Sequence, residues 1–198
     1  MRRVACLAIL LLALVGGLIL WSRAQRPPSE PPAPTPPRAQ NAPESPASQR
    51  ITIYLARELP RGTQGEFVLS PVEREVAATA APTMASLEAL AAGPTPAEES
   101  EGFRATLPEG TRVLGVEREG GVVTANFSRE LRDNFNGGAD WEEIVLYSIV
   151  NTLTELEGVD SVRLTVEGAP IESIGGHLSA EEPLRRNSEI VVRGKRGE

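Results

Sequence analysis

The chain has 198 residues and a formal net charge of −7 at pH 7, with one cysteine, Cys6, and one histidine, His177. The first fifty residues carry six arginines and two glutamates, so the rest of the chain holds a net charge of −11. An acidic domain repels phosphates, which argues against nucleic acid or anionic lipid as a partner. One cysteine and one histidine exclude a His/Cys metal cluster and reduce a Ser-His-Asp triad to a lone histidine in a glycine-rich turn. We therefore expect no metal site, no cofactor and no catalytic residue.

Residues 1–24 are predicted to form a transmembrane signal anchor. Arg2 and Arg3 precede Val4–Trp21, an uncharged and mostly apolar run of 18 residues. As a helix this run spans about 27 Å at 1.5 Å per residue, enough to cross the core of a bilayer. The alternative is a signal peptide cleaved after Ala24. In both cases we expect the folded domain outside the cytoplasm, attached to the cell membrane by a single span or, after cleavage, secreted.

Residues 25–50 are predicted to form a disordered, proline-rich linker. Pro27–Arg50 holds nine of the 17 prolines, together with Ser, Ala and Gln and few residues that a core could bury. Such a segment does not offset the entropy of its own ordering and stays extended. At 3.1 Å per residue it reaches about 75 Å at most, so we interpret it as a spacer between the membrane and the domain.

Residues 51–193 are predicted to form one α+β domain with two layers. Alternating apolar side chains indicate strands, and apolar residues three and four positions apart indicate helices. In chain order the elements are the strands Ile51–Leu55 and Phe67–Val72, the helix Pro82–Ala92, the strands Arg112–Glu117 and Val122–Phe127, the helix Asp140–Leu156 and the strand Val162–Val166. Pro71 confines the second strand to a sheet edge. The order β-β-α-β-β-α-β predicts a mixed sheet with two main helices on one face, and Ile190–Val192 is a candidate for a last strand.

The helix that begins at Asp140 is expected to organise the domain. Asp140 is predicted to cap it, with Glu143 reaching back in a capping box, and Gly158 follows as a left-handed stop. One apolar stripe faces the core: Leu146, Ile149, Val150, Leu153 and Leu156. Asn151 and Thr152 interrupt the apolar sequence, and two interpretations stay open. Either they form a functional surface, or Asn151 faces water while Thr152 bonds to the backbone one turn back.

Two pairs of neighbouring carboxylates are the candidates for acid–base chemistry of the glycosidase kind. Glu98–Glu99 lie in Thr95–Glu101, which is predicted to be an acidic loop, and Glu142–Glu143 lie at the start of a helix. Acidic residues at such places also serve solvation and the helix dipole, which is the interpretation we adopt. His177 is interpreted in the same way, as a surface residue of a turn.

Short sequence pieces follow one another in a fixed order over about residues 51–190. They are Ile53-Tyr54, Leu69-x-Pro71-Val72-x-Arg74, Leu87-x-Ala89-Leu90-x-x-Gly93-Pro94, Leu107-Pro108-x-Gly110-Thr111, Val122–Phe127, Ile149-Val150-Asn151-Thr152-Leu153-Thr154, Gly158-Val159-x-Ser161-Val162 and Val166-x-Gly168-x-Pro170. Each piece is weak by itself. The ordered set resembles the GerMN domain family of sporulation and germination proteins, and it covers nearly all of the folded part.

This resemblance implies a small α+β domain on the outer face of a bacterial membrane, behind an anchor and a proline-rich linker. It also implies a protein-interaction module of spore formation, germination or envelope assembly, with some members similar in fold to ring-building domains. The germination protein itself resembles two such domains in tandem, whereas this chain has one. The resemblance brings no catalytic residue to a position of this chain.

The first functional hypothesis is therefore a non-enzymatic, extracytoplasmic scaffold of the bacterial cell envelope. Its expected partners are envelope or membrane proteins, including a ring-forming assembly, and the membrane itself through the N-terminal helix. The alternative is a peptidoglycan-binding protein or a cell-wall enzyme that uses a carboxylate pair. A third hypothesis is a sensor partner of a membrane kinase. The oligomeric state is left open by the sequence.

Overall fold

The computed structural model describes residues 48–59, 67–79 and 81–192, which belong to one compact unit, Ser45–Glu198. The strands are β1 Ser48–Glu58, β2 Phe67–Ala77, β3 Phe103–Arg104, β4 Val113–Glu119, β5 Val122–Phe127, β6 Ser161–Val166 and β7 Ala169–Pro170. The helices are α1 Pro82–Ala91, α2 Pro96–Ser100, α3 Glu130–Asp133 and α4 Ala139–Leu153. The predicted transmembrane segment lies outside the described residues, as does all of the predicted linker before Ser48. Within the described ranges, every helix is too short or too polar to cross a membrane.

The predicted α+β class is confirmed, but the strands form two sheets rather than one mixed sheet. β1 pairs with β2 over eleven residue pairs and with the two-residue β3, so the first sheet has the order β2-β1-β3 and is antiparallel. The second sheet has the order β4-β5-β6-β7 and is mixed, because β5 and β6 run parallel. Sequence periodicity identifies which face of a strand is buried, and it does not identify which strands share an edge.

β2 is an edge strand, as Pro71 predicts. Tyr54 lies opposite Pro71, and its N–H donates to Oγ1 of Thr152 at 3.0 Å rather than to β2. The two residues therefore form a non-hydrogen-bonded pair, in which the nitrogen of each faces away from the other strand. Pro71 consequently places its missing N–H at the outer edge of the sheet, where no ladder bond is lost.

The region after β2 contains one helix that was predicted and one that was not. α1 agrees with the predicted helix to within one residue, and Leu87 and Leu90 are buried as expected. Thr95–Glu101, predicted to be a loop, contains the helix α2. Its cause is a capping box: Thr95 Oγ1 accepts the N–H of Glu98 at 3.4 Å, and Glu98 accepts the N–H of Thr95 at 2.8 Å.

α4 is the predicted central helix, but its start differs from the prediction. Gly138 occupies the capping position and no side chain caps the helix, so the predicted box of Asp140 with Glu143 is wrong. The apolar stripe is confirmed through Leu153, whereas Leu156 lies beyond the helix end and is partly buried. Gly158 has the left-handed conformation that was predicted, with φ of 74°.

Two groups of buried apolar side chains hold the domain together. The main core joins α1, α4, β1, β5 and β6 through residues such as Ile53, Leu87 and Phe127. A smaller cluster consists of Tyr54, Ala56, Leu69 and Ile144, and lies where β1 and β2 meet α4. The two faces of β1 therefore serve different clusters, with Ile51, Ile53 and Leu55 in the main core.

Candidate interaction surface

Asn151 and Thr152 are both fully buried, so both interpretations from the sequence are wrong. Thr152 accepts the N–H of Tyr54 and thereby joins α4 to β1. The Asn151 amide donates to the carbonyl of Asn187 at 2.7 Å and accepts the N–H of Asn187 at 3.0 Å. Asn187 lies in a stretch without periodicity, so the sequence carries no signal that would pair it with Asn151.

The segment Leu184–Val192, called the strap below, connects the second sheet to the first. Leu184 and Val162 of β6 exchange two backbone hydrogen bonds, each 2.8 Å long. At the other end, the N–H of Leu69 donates to the carbonyl of Ile190 at 2.8 Å, and the N–H of Val192 donates to the carbonyl of Leu69 at 2.9 Å. The strap thus adds to the outer edge of β2 in parallel orientation, through one bridge between Leu69 and Val191 rather than through a full strand.

Polar contacts fasten the middle of the strap. The Arg186 guanidinium lies 2.7 Å from the Glu155 carboxylate, contacts the Tyr54 hydroxyl and stacks over the Tyr54 ring at 5.0 Å from its centroid. The Tyr54 hydroxyl donates to Glu155 at 2.6 Å. The pKa of Tyr54 is raised, mainly because the hydroxyl is buried and secondly because it bonds to the Glu155 carboxylate. Arg186 lowers the pKa, but its effect is the smaller one. The hydroxyl therefore keeps its proton at neutral pH and acts as the donor.

Aromatic side chains concentrate around the strap. The chain has eight aromatic residues, and seven of them, all but Trp21, lie in the described ranges. Four of these seven belong to the smaller cluster or pack against it: Tyr54, Phe67, Trp141 and Tyr147. The rings of Phe67 and Trp141 meet edge to face, with centroids 4.9 Å apart. Tyr54 is buried, whereas Phe67, Trp141 and Tyr147 are half-buried. Aromatic side chains are enriched in protein–protein interfaces, so these three, called the aromatic surface below, are the candidate interaction site.

Glu142, expected at the surface, is fully buried. Its carboxylate accepts the N–H groups of Ile174, Gly175 and His177 at 2.9, 2.7 and 2.8 Å. Burial raises the pKa of Glu142, but the N–H groups of Gly175 and His177, the His177 ring and the N–H of Ile174 outweigh it, and the net pKa is lowered. Glu142 therefore stays ionised and fixes the loop 174–177 against α4. The side chain of His177 is 44% exposed, as a surface turn residue should be, with Nδ1 3.0 Å from Glu142.

Glu98 forms a two-pronged ion pair with Arg74, with both N–O distances 2.6 Å and both side chains 18% exposed. The hydrogen bond from Arg74 is the main reason that the pKa of Glu98 is lowered. A general acid requires a raised pKa, and both Glu98 and Glu142 have the opposite shift. Neither Glu98 nor Glu142 therefore fits the general-acid role in the carboxylate-pair alternative.

The stability contributed by Glu98 should depend on pH. Because its folded pKa is lowered, the contribution is present above the ordinary pKa of about 4.3 and is lost as pH falls through the folded value. At pH 7, Glu98→Gln should lower the free energy of unfolding by about 1–3 kcal/mol, and the gap to the parent chain should shrink toward pH 3. Urea titrations between pH 7 and pH 3 measure the gap. Glu99→Gln, at an exposed neighbouring carboxylate, is the control, and an equal pH dependence there would contradict the assignment.

Solved structures with the same fold identify the class of domain. The tandem GerMN domains of the sporulation protein GerM from Bacillus subtilis align with a TM-score of 0.56 and 23% identity, over 77% of this chain and 49% of that one. The first GerMN domain of that protein aligns with a TM-score of 0.54 and 26% identity, over 70% of this chain and 98% of that one. This chain therefore spans about half of the tandem structure and has the fold of a GerMN domain. No curated protein matches the chain.

The family follows from the sequence of the same region. A sequence model of the Germane family, described as sporulation and spore germination, matches residues 52–172, more than half of the chain. The chain belongs to the Germane family. The predicted resemblance to GerMN domains is confirmed.

Proposed function

We propose that this chain is a non-enzymatic interaction module of an assembly in the bacterial envelope that serves spore formation or germination. The observation that carries the proposal is the family match over residues 52–172. In the proposal, Val4–Trp21 holds the chain in the cytoplasmic membrane, the proline-rich segment spaces the domain from it, and the domain works outside the cytoplasm. The partners are envelope or membrane proteins.

The aromatic surface supports the proposal, because it combines rigid rings with groups that specify orientation. Phe67, Trp141 and Tyr147 are half-buried, so part of each ring faces solvent while packing fixes its position. Rings held in this way contribute large contact area at a small cost in side-chain entropy. The hydrogen-bonded groups of Tyr54, Glu155 and Arg186 lie beside them.

A photoreactive amino acid in place of Tyr147 tests the proposed contact in the native host during sporulation. We expect discrete cross-linked products between the full chain and envelope proteins, which mass spectrometry identifies. The matched control carries the same amino acid in place of Leu114, which is 45% exposed and lies on β4. The same products from both positions, or none from Tyr147, would overturn the contact.

The proposed location is tested with a cysteine introduced at an exposed position of the domain. Glu109→Cys in a chain that also carries Cys6→Ser gives one thiol, at an exposed residue. We expect a membrane-impermeant maleimide to label it in intact protoplasts. Labelling that requires lysis would place the domain in the cytoplasm. Sedimentation of the purified chain with cell-wall sacculi examines the peptidoglycan-binding alternative in parallel.

A further inference from the structure

The position of the strap on β2 has the geometry of strand addition. Both backbone groups that Leu69 presents at the outer edge are bonded to the strap, to Ile190 and to Val192. With the strap in place Leu69 is fully buried, so the strap both bonds these two groups and shields them from water beside an apolar cluster. Pro71, the next residue whose nitrogen faces outward, has no N–H, so the site is short and centred on Leu69.

The strap shows which chemistry the site accepts. Ile190 and Val191 cover the smaller cluster, and both are half-buried. Asn187, three residues before Ile190, fits the buried amide of Asn151 through two hydrogen bonds. An occupant of this site thus has an asparagine followed, three residues later, by branched apolar residues, and it turns at residues 189–190. Every copy of the chain carries such a segment.

We propose that the site also accepts the strap of a second copy of this chain, so that copies link by exchanging Asn187–Val192. The exchanged strap makes the same contacts with Leu69 and Asn151 as the resident one, so concentration and the conformation of the connecting residues decide between the two arrangements. Leu184 stays bonded to β6. The exchanged segment begins at Asn187, three residues after Leu184, and this connection reaches at most about 11 Å, so donor and recipient domains must touch.

Strap exchange adds to the proposed function the surface that is used and one partner, a second copy of the chain. The biological role of the exchange therefore rests on the proposed function. Anchoring copies in one membrane raises their effective concentration. A higher concentration favours exchange over the arrangement in which each strap binds its own domain. The Tyr147 cross-links described above separate the two proposals. A chain that does not exchange straps but still cross-links to other envelope proteins retains the proposed function and loses only the inference of exchange.

A peptide with the sequence of Leu184–Val192 tests the site. The recipient is the full chain, solubilised in detergent. Its substitutions Ile190→Asp and Val191→Asp release its own strap. Trp21→Phe leaves Trp141 as the tryptophan whose fluorescence emission reports peptide binding. We expect saturable binding. N-methylation of the peptide at Val192 removes the N–H that bonds to Leu69, and affinity should fall at least tenfold. N-methylation at Val191, whose N–H bonds to Ser188 within the strap rather than to β2, should have a smaller effect.

Two controls keep the peptide experiment decisive. If the double substitution unfolds the recipient, Asn187→Ala replaces it, because that change weakens the strap without placing charge on the cluster. Equal affinities for the two methylated peptides, or no binding to either recipient, would overturn the strand-addition site.

Exchange between whole chains is tested by mixing. The donor carries a photoreactive amino acid at Val192, and the recipient is the strap-released variant. We expect donor–recipient cross-links that map to residues 67–69 and increase with recipient concentration. A donor with Asn187→Ala should give markedly fewer. Cross-links confined to the donor itself at every concentration would overturn the exchange.

Discussion

Replacing Glu142 by alanine should lower the free energy of unfolding by about 3–5 kcal/mol, because it removes the acceptor of several buried donors. The carboxylate receives three backbone N–H groups, from Ile174, Gly175 and His177. Water does not reach the fully buried side chain of Glu142, so the N–H of Ile174, also buried, would be left without a partner. The loop 174–177 would lose its attachment to α4. Urea denaturation followed by circular dichroism measures the loss.

Two further variants separate the charge of Glu142 from its shape. Glu142→Gln keeps one acceptor oxygen but points an NH₂ group at the N–H donors, so its loss should also exceed about 2 kcal/mol. Asp140→Asn, at an exposed acid in the same first turn of α4, should cost at most about 1 kcal/mol, through the helix dipole alone. A loss for Glu142→Ala no larger than that for Asp140→Asn would show that the loop does not depend on this carboxylate.

The sequence predicts the apolar framework of the domain because packing follows local periodicity. α1, the stripe of α4 and the strands β5 and β6 are recovered with small errors at their ends. Pro71 is placed at an edge because a missing N–H cannot enter a ladder. The glycine pair at residues 120–121 is a hairpin signal between β4 and β5, and Gly120 has a φ of 60° there. Each of these signals is contained within a few neighbouring residues.

The polar attachments were missed because their partners are far apart in sequence. Glu142 bonds to backbone N–H groups 32–35 residues away, and every residue type except proline carries such a group. Asn151 likewise pairs with a backbone N–H and C=O, those of Asn187. The capping box of α2 differs from these attachments, because its signal, the Thr-x-x-Glu pattern at Thr95, is local.

Several sequence pieces that carry the family resemblance meet in space. Arg74 reaches the carbonyl of Gly93 at 3.5 Å as well as Glu98, which connects the second and third pieces. Thr152 connects the piece on α4 with the one on β1 through Tyr54. The resemblance is therefore carried partly by polar residues that join elements, and periodicity alone does not reveal these residues.

The largest loss from an apolar truncation is expected at Leu153. Leu153→Ala should lower the free energy of unfolding by about 2–5 kcal/mol, because it leaves a cavity in the main core that the surrounding strands fill only in part. Leu153 is the last residue of α4 and is completely buried. Its neighbour Thr152 is tied to β1, and Thr154 begins the turn toward β6, which limits how far the helix end can move to close the cavity.

Leu114→Ala is the matched control, since it removes the same atoms from a side chain that is 45% exposed. Its effect should remain within about 0.5 kcal/mol. Both are measured by urea denaturation under the same conditions, with the slope of the transition compared to detect any change in the unfolded state. If Leu153→Ala cost as little as Leu114→Ala, the end of α4 would not be packed as a rigid part of the core. The attachment of β1 through Thr152, and with it the position of the strap, would then require another explanation.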